Sequence, residues 1–432
     1  MNATLDFGTT GLEITIPDGN FFSLLELSAA PPILNPGNAL SQKLLNPIAS
    51  VPFPDLCKGK KTACIVVSDK TRPVPNTIIL PPLLEVLDRL GIRTTILVAC
   101  GMHSPTTGSD LDDLLGATIA AKYEIVNHNG DDKAELSDCG KSKNGHPVLV
   151  NRRYVQSDLR ILTGFIEPHF MAGFSGGRKA VCPGICGTIT MRYAHGAQLM
   201  GAPLSTAGRL QGNPFHEFSL EAAKMAGVDF IVNVTLDQHK KITGIFAGDL
   251  EHAHAEGVAF CRKQAAVSVE KETDIVVTSN GGHPLDQDFY QTVKGMVCAL
   301  PAVRAGGTVI IASECKKGLG SDSFREMLHS MKTPDSFIDM INKPGFFRVD
   351  QWEVQQLVKA LSKVKVKVVC SPQVGVEDLR RCRVEPADSV EHAVMDSIRE
   401  YGPKATITVI PSGPYVIPRV EKAKSTKTKA ES

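Results

Sequence analysis

The feature that most restricts the fold is a recurring unit. A short apolar run stops abruptly at a polar or glycine-bearing cluster, and a stretch with helical spacing follows. Thr62-Ala-Cys-Ile-Val-Val67 ends in Ser68-Asp69-Lys70-Thr71-Arg72, the leucines between 78 and 90 are spaced for a helix, and Thr94 to Cys100 ends in Gly101-Met102-His103. Unbroken apolar runs, rather than alternating ones, suit strands buried on both faces, which means a parallel sheet covered by helices. Further runs of this kind fall at 123–127, 158–162, 230–235, 274–278, 307–312, 364–370 and 405–410. Ligands of open α/β sheets gather beyond the carboxyl ends of the strands, so the polar tails are the first candidates for a site.

A chain of 432 residues exceeds one ordinary core, and the pattern divides into a first domain over 1–268 and a second over 272–398. Residues 4–16 read as a hairpin with Gly8 or Gly11 near its turn. The polar end, 421–432, reads as a disordered tail. Basic and acidic residues nearly cancel, at 47 against 46, which argues for neither nucleic acid nor a membrane surface as partner. The start has no basic region leading into an apolar stretch, and no run reaches the length of a membrane span, so a cytoplasmic protein is expected. The 11 cysteines lack paired Cys-x-x-Cys spacing, which fits reduced thiols better than a disulfide framework or a structural zinc site.

Chemistry-bearing residues concentrate between 162 and 218, where Glu167, His169, Arg178, Lys179, His195, Arg209 and His216 stand among glycines and prolines. Gly173-Phe-Ser-Gly-Gly-Arg-Lys179 reads as a turn whose backbone can come close to a ligand. It is not a Walker A loop, since that pattern needs four residues between its glycines and a hydroxyl residue after the lysine, where this chain has Ala180. Beside Arg178, Lys179 is either an activated amine or an ordinary solvated one. In Glu251-His252-Ala253-His254 the two imidazoles point to different faces of a helix, so this segment reads as solvated surface rather than a zinc site.

These clusters resemble the nickel-dependent lactate racemase family. The resemblance is carried by Ser-Asp-Lys-Thr-Arg-Pro at 68–73, Gly-Met-His at 101–103, Glu-Pro-His at 167–169, Gly-Gly-Arg-Lys at 176–179, His195, Tyr-Gln-x-x-Lys at 290–294 and Gln-Trp at 351–352, in the family's order. It implies an α/β protein of two domains with mainly parallel sheets flanked by helices, the active site in the cleft between them, and residues 400–420 crossing back to the first domain. It also implies a cofactor, the nickel-pincer nucleotide (nickel held by pyridinium-3,5-bisthiocarboxylic acid mononucleotide), attached covalently to Lys179, with His195 as the protein's ligand to nickel. On the same ground His103 and His169 are the catalytic pair, and Arg72, Lys294, Gln291, Tyr290 and Trp352 bind substrate. Asp69, Lys70, Thr71, Ser175, Gly176, Gly177 and Arg178 join Lys179 around the cofactor. The implied partners are a small 2-hydroxy acid and the enzymes that make the cofactor.

The chemistry explains why such a set is needed. Inverting a 2-hydroxy acid by proton removal leaves a poorly stabilised anion beside a carboxylate, whereas removal of hydride leaves a planar ketone. No side chain accepts hydride, so a cofactor is required. Two faces call for two bases, and imidazoles suit neutral pH. Many relatives carry Gly-Thr-His-Arg where this chain has Gly101-Met102-His103-Ser104, a difference that bears on which hydroxy acid is used. The competing readings are a metal-dependent sugar-acid hydro-lyase and a non-catalytic binder of hydroxy acids or nucleotides.

Overall fold

The first residues form the expected hairpin. Strands β1 (Asn2–Leu5) and β2 (Leu12–Thr15) pair antiparallel with Ala3 opposite Ile14, and β3 (Phe21–Leu24) follows. The computed structural model describes residues 1–28 and 30–421, so the expected tail lies, apart from Glu421, outside the described residues. Two compact units are present, one of residues 28–264 and one of residues 1–27 with 265 onward.

The 28–264 unit starts with helix α1 (Pro36–Leu45), whose Asn35 side chain caps the Asn38 N–H and whose Pro36 occupies the first turn, where no amide partner is lost. Its main sheet contains β4 (Thr62–Ser68), β5 (Arg93–Ala99) and β6 (Glu124–Asn127). A hairpin of β7 (Leu136–Lys141) and β8 (Pro147–Asn151) leads to β9 (Leu159–Phe165) of the same sheet. A two-residue pair, β10 (Pro168–His169) and β11 (Gly173–Phe174), precedes β12 (Phe230–Leu236) and β13 (Ile242–Gly248). The sheet order is β13-β12-β9-β4-β5-β6, parallel throughout except for the β12/β13 edge.

Helix α2 (Asn76–Arg89) turns Ile79, Leu80, Leu83, Leu84 and Leu87 onto this sheet, and the apolar run Ala63–Val67 is buried on both faces. Each such side chain contributes about 1.5–3 kcal/mol when buried, which fixes strand register and therefore the positions of the strand ends. Three further helices frame the central stretch: α3 (Thr188–Ala194), α4 (Pro214–Ala226) and α5 (Leu250–Ala265).

The other unit holds β14 (Ala266–Val269), β15 (Thr273–Ser279), helix α6 (Phe289–Ala299), β16 (Val303–Ala312), helix α7 (Gln351–Lys363), β17 (Lys365–Val369), β18 (Glu385–Pro386), helix α8 (Val390–Tyr401), β19 (Ile407–Ile410) and β20 (Ile417–Val420). Its sheet is fully parallel in the order β18-β17-β16-β15-β19-β3.

Two boundary expectations are corrected by this pairing. Residues 1–27 do not belong with the first domain, because β3 pairs with β19, and Leu5, Ile14 and Ile16 join the core of Ile275, Val277 and Ile407. Residues 407–410 do not cross back either, since β19 is hydrogen-bonded between β15 and β3, and β20 pairs with β14. Each short apolar run was readable as a strand, but which sheet it enters depends on partners far away in sequence. No helix of the described residues is long and apolar enough to cross a membrane.

Candidate active site

In the 28–264 unit β9, β4 and β5 are neighbours and parallel, so their carboxyl ends lie side by side. The loops leaving those ends carry Glu167 to His169, Asp69 to Arg72, and Gly101 to His103 respectively. His103 and His169 therefore flank the Arg72 loop. Two strand spacings separate their parent strands, roughly 10 Å at the usual 4.7–4.9 Å each.

His103 has a fixed partner. Its Nδ1 lies 2.5 Å from Asp69 Oδ2, and the Asp69 side chain is 4 % exposed against 54 % for His103. The other Asp69 oxygen accepts from the Thr71 N–H at 3.1 Å and from Thr71 Oγ1 at 2.5 Å. Burial alone would raise the Asp69 carboxyl, but the hydrogen bond and charge of His103, with Thr71 and Arg72, carry it below its ordinary range. A carboxylate accepting from Nδ1–H leaves the His103 Nε2 lone pair free to take a proton. Asp69 and Thr71, expected around the cofactor, are bonded to each other, and Asp69 in turn to His103. Lys70 pairs with Asp110 at 2.5 Å, and the Arg72 N–H donates to the Asp69 carbonyl at 3.1 Å.

His169 is oriented differently. Its Nδ1 accepts from the Met171 and Ala172 N–H groups at 3.2 and 3.1 Å, which puts the proton of the neutral ring on Nε2. In this state His103 presents a base and His169 a donor.

The glycine-rich turn is folded tightly beneath these loops. Ser175 Oγ donates to the Phe165 carbonyl and accepts from the Glu167 N–H, both at 2.9 Å. Gly173 has φ +78°, and a Cβ there would lie 2.1 Å from the Arg209 carbonyl oxygen, so no other residue fits. Gly176 and Gly177 lead into a 3-10 turn, Gly177–Ala180, which carries Arg178 and Lys179. Arg178 is 1 % exposed and turns inward, donating to the Ala172 carbonyl at 2.8 Å and the Gly176 carbonyl at 3.2 Å. Burial lowers its guanidinium to about 9, which leaves it charged at neutral pH. The side chains of Ser175 and Arg178 are thereby engaged in folding the turn.

Lys179 and His195 meet at a common wall. Lys179 Nζ is 5.7 Å from the centroid of the Phe215 ring, and the His195 ring packs edge-on against the same ring at 5.5 Å. His195 ends α3, with Nδ1 3.3 Å from the Met191 carbonyl. Burial first, then the charges of Lys179 and His103, push its imidazole down to about 4, against the opposing pull of Met191. A ring kept neutral with Nδ1 toward a carbonyl offers Nε2 as a metal donor. Among the described residues no set of three or more His, Cys, Asp or Glu stands together that could hold a metal ion. Cys182 and Cys186 lie buried with their sulfurs 3.9 Å apart, unbridged.

In the other unit α6 and α7 carry the remaining candidates. Lys294 Nζ donates to Gln291 Oε1, and Trp352 Nε1 donates to Tyr290 Oη at 3.0 Å. Asp288 caps α6 through the Gln291 N–H at 2.8 Å, and the Tyr290 ring packs edge-on against Phe324 at 5.1 Å.

Phe215, Asn233 and His254 were missed in the sequence. Asn233 is a buried polar residue inside an apolar strand, a readable signal, and its Oδ1 accepts from the Gly177 N–H at 2.7 Å. His254 was expected on solvated surface and is 4 % exposed, whereas His252 is exposed and lies 2.7 Å from Asp249. The signal was helical spacing: Leu250, His254, Val258, Cys261 and Ala265 form one buried face of α5.

Comparison with known proteins extends over nearly the whole chain. Residues 7–208 match the lactate racemase N-terminal domain and residues 268–418 the lactate racemase C-terminal domain. The lactate racemase of Thermoanaerobacterium thermosaccharolyticum is 35 % identical over 424 residues, covering 97 % of this chain and 99 % of that protein. The lactate racemase of Lactiplantibacillus plantarum is 37 % identical over 388 residues, covering 89 % of this chain and 91 % of the relative. The solved lactate racemase apoprotein from T. thermosaccharolyticum superposes with a TM-score of 0.93 at 34 % identity, over 97 % of this chain and 100 % of that one. A Thermotoga maritima protein shares the fold at a TM-score of 0.69 and 15 % identity, over 91 % of this chain and 100 % of that one.

Proposed function

The chain belongs to the lactate racemase family, and from that premise we propose that it is an isomerase inverting the α-carbon of a 2-hydroxy acid, with His103 and His169 handling the hydroxyl proton. The observation that carries the reading is the pair of imidazoles on either side of the Arg72 loop, one oriented by a buried carboxylate and the other by backbone amides. Opposite protonation roles at opposite faces are what inversion through a planar intermediate requires.

His103 Nε2 takes the hydroxyl proton on one face while the Asp69 carboxylate steadies the charge gained by the ring. On the other face His169 returns a proton as imidazolium, its ring first charged by a proton from solvent, since the neutral ring with Nδ1 accepting from the Met171 and Ala172 amides has no acidic proton to give. In the next turnover of the product the roles exchange. Arg72 offers a planar fork for the substrate carboxylate.

The residues fit the nickel-pincer nucleotide that the family resemblance implies. Lys179 would hold it covalently and His195 Nε2 would be the single protein donor to nickel, a tetragonal nitrogen and sulfur environment that nickel(II) accepts. When bound, that group supplies the acceptor and donor of hydride that side chains cannot provide. The backbone of Gly176 and Gly177, with Lys70, would line its nucleotide part. Loading then depends on the enzymes that make it.

The test uses protein co-expressed with the cofactor-making enzymes, its loading verified by intact mass, and a panel of enantiopure 2-hydroxy acids followed by chiral chromatography. Inversion of at least one acid is expected. A loaded protein that inverts none would refute the proposal.

A further inference from the structure

We infer that His254 is a positioning residue for Lys179: donating from Nε2 to the Ser175 carbonyl and walling the Gly177 backbone, it sets the turn that presents the lysine amine. The inference rests on Lys179 being the covalent anchor and deepens that reading.

His254 occupies the buried face of α5 among Leu250, Val258 and Cys261. An aliphatic residue would satisfy such a position, and a buried imidazole costs stability unless its polar atoms are bonded. Its Nε2 is 2.9 Å from the Ser175 carbonyl and 3.1 Å from Arg178 Nη1. One nitrogen cannot donate to the first and accept from the second at once. Arg178 Nη1 has another acceptor in the Gly176 carbonyl at 3.2 Å, so the ring proton belongs on Nε2, facing Ser175. Burial, and after it the charge of Arg178, push the ring down to about 3, which keeps it neutral.

The same ring limits what can stand at Gly177. Its φ is +53°, and a Cβ would lie 2.9 Å from His254 Cδ2. Asn233 holds the Gly177 N–H from the opposite side at 2.7 Å. The dipeptide before Lys179 is thus gripped between a strand residue and a helix residue, each distant in sequence. The holds of Ser175 Oγ and Arg178 come from the turn itself or from residues just before it, and the front of the turn is met by the Gly208 N–H at the Gly173 carbonyl and by Arg262 of α5 over the Phe174 ring. His254 therefore ties the orientation of the lysine-bearing turn to α5, one of the longer rigid elements of the unit.

The experiment compares full-length wild type, His254→Leu and His254→Gln. Leucine fills volume without donating, whereas the glutamine amide can still donate to Ser175. Two quantities are read: amide exchange of the peptide spanning 173–182 in unloaded protein, and the fraction of protein carrying added mass on Lys179 after co-expression with the cofactor-making enzymes. His254→Leu should exchange about tenfold faster in that peptide and load in smaller yield, with the rest of the chain unchanged, while His254→Gln stays within about twofold of wild type. Wild-type exchange and loading in His254→Leu would overturn the inference, as would a His254→Gln protein impaired to the same degree as His254→Leu. Absence of added mass on Lys179 in the wild type, whatever the exchange shows, would overturn the anchor reading separately.

Discussion

Replacing Asp69 by Asn removes a charge while keeping the shape of the side chain, and its effect follows from the geometry. The carboxylate accepts from His103 Nδ1 at 2.5 Å in a site where its own side chain is 4 % exposed. A hydrogen bond to a charged group is worth about 1.5–3 kcal/mol net. Half of the imidazole faces water, which screens part of the interaction and favours the lower end of that range. In the transition state the ring gains charge, which strengthens the same contact. At about 1.4 kcal/mol per decade, Asp69→Asn should lower kcat/KM between about 10-fold and 100-fold. Enantiomers have equal free energies, so the loss must be the same in both directions. The assay is chiral chromatography of each enantiopure substrate with loaded protein, the loading matched by intact mass. Activity within about twofold of wild type would refute the claim that Asp69 orients and supports His103.

Three other perturbations have defined outcomes. The imidazoles of His216 and His254 both stand near 3 in the fold against an ordinary 6.5, lowered first by burial and then by Arg178. Between those values the unfolded chain binds protons that the fold does not. Their stabilisation is therefore complete above about pH 6.5 and declines as pH falls toward 3, by at most about 1.4 kcal/mol per pH unit for each ring; urea midpoints measured from pH 7 to 4 should fall, and by less in His254→Gln. Gly173→Ala meets the Arg209 carbonyl at 2.1 Å with φ +78°, so it should destabilise the 28–264 unit by more than about 2 kcal/mol, seen as a lower thermal midpoint. Tyr290→Phe leaves Trp352 Nε1 without its 3.0 Å acceptor and should cost about 1 kcal/mol in the other unit, with unchanged loading of Lys179.

Much of the architecture was legible because the apolar runs are long enough to declare parallel strands, and their polar tails fell at adjacent strand ends as expected. The hairpin at residues 2–15 was equally open, with Gly8 and Gly11 both at positive φ. What escaped was pairing at long range. Nothing in Phe21–Leu24 announces that it will lie beside Ile407–Ile410, since the energy of that match is shared between segments far apart in the chain. The site divided in the same way. His103, His169, Lys179 and His195 stand in recognisable clusters, whereas Asp69 as the partner of His103 and His254 as the brace under Ser175 depend on tertiary neighbours. Helical spacing placed His254 on a buried face, but its charge-bearing context, Glu251 and exposed His252, masked that signal.

The central claim is that hydrogen leaves the α-carbon with its electrons and returns to the same carbon from the other side, while only the hydroxyl proton passes through His103 and His169. A 2-hydroxy acid deuterated at the α-carbon, turned over by loaded protein in ordinary water and analysed by mass after chiral separation, tests this directly. The account predicts that the inverted product keeps its deuterium. Loss of the label to solvent at the rate of inversion would contradict it.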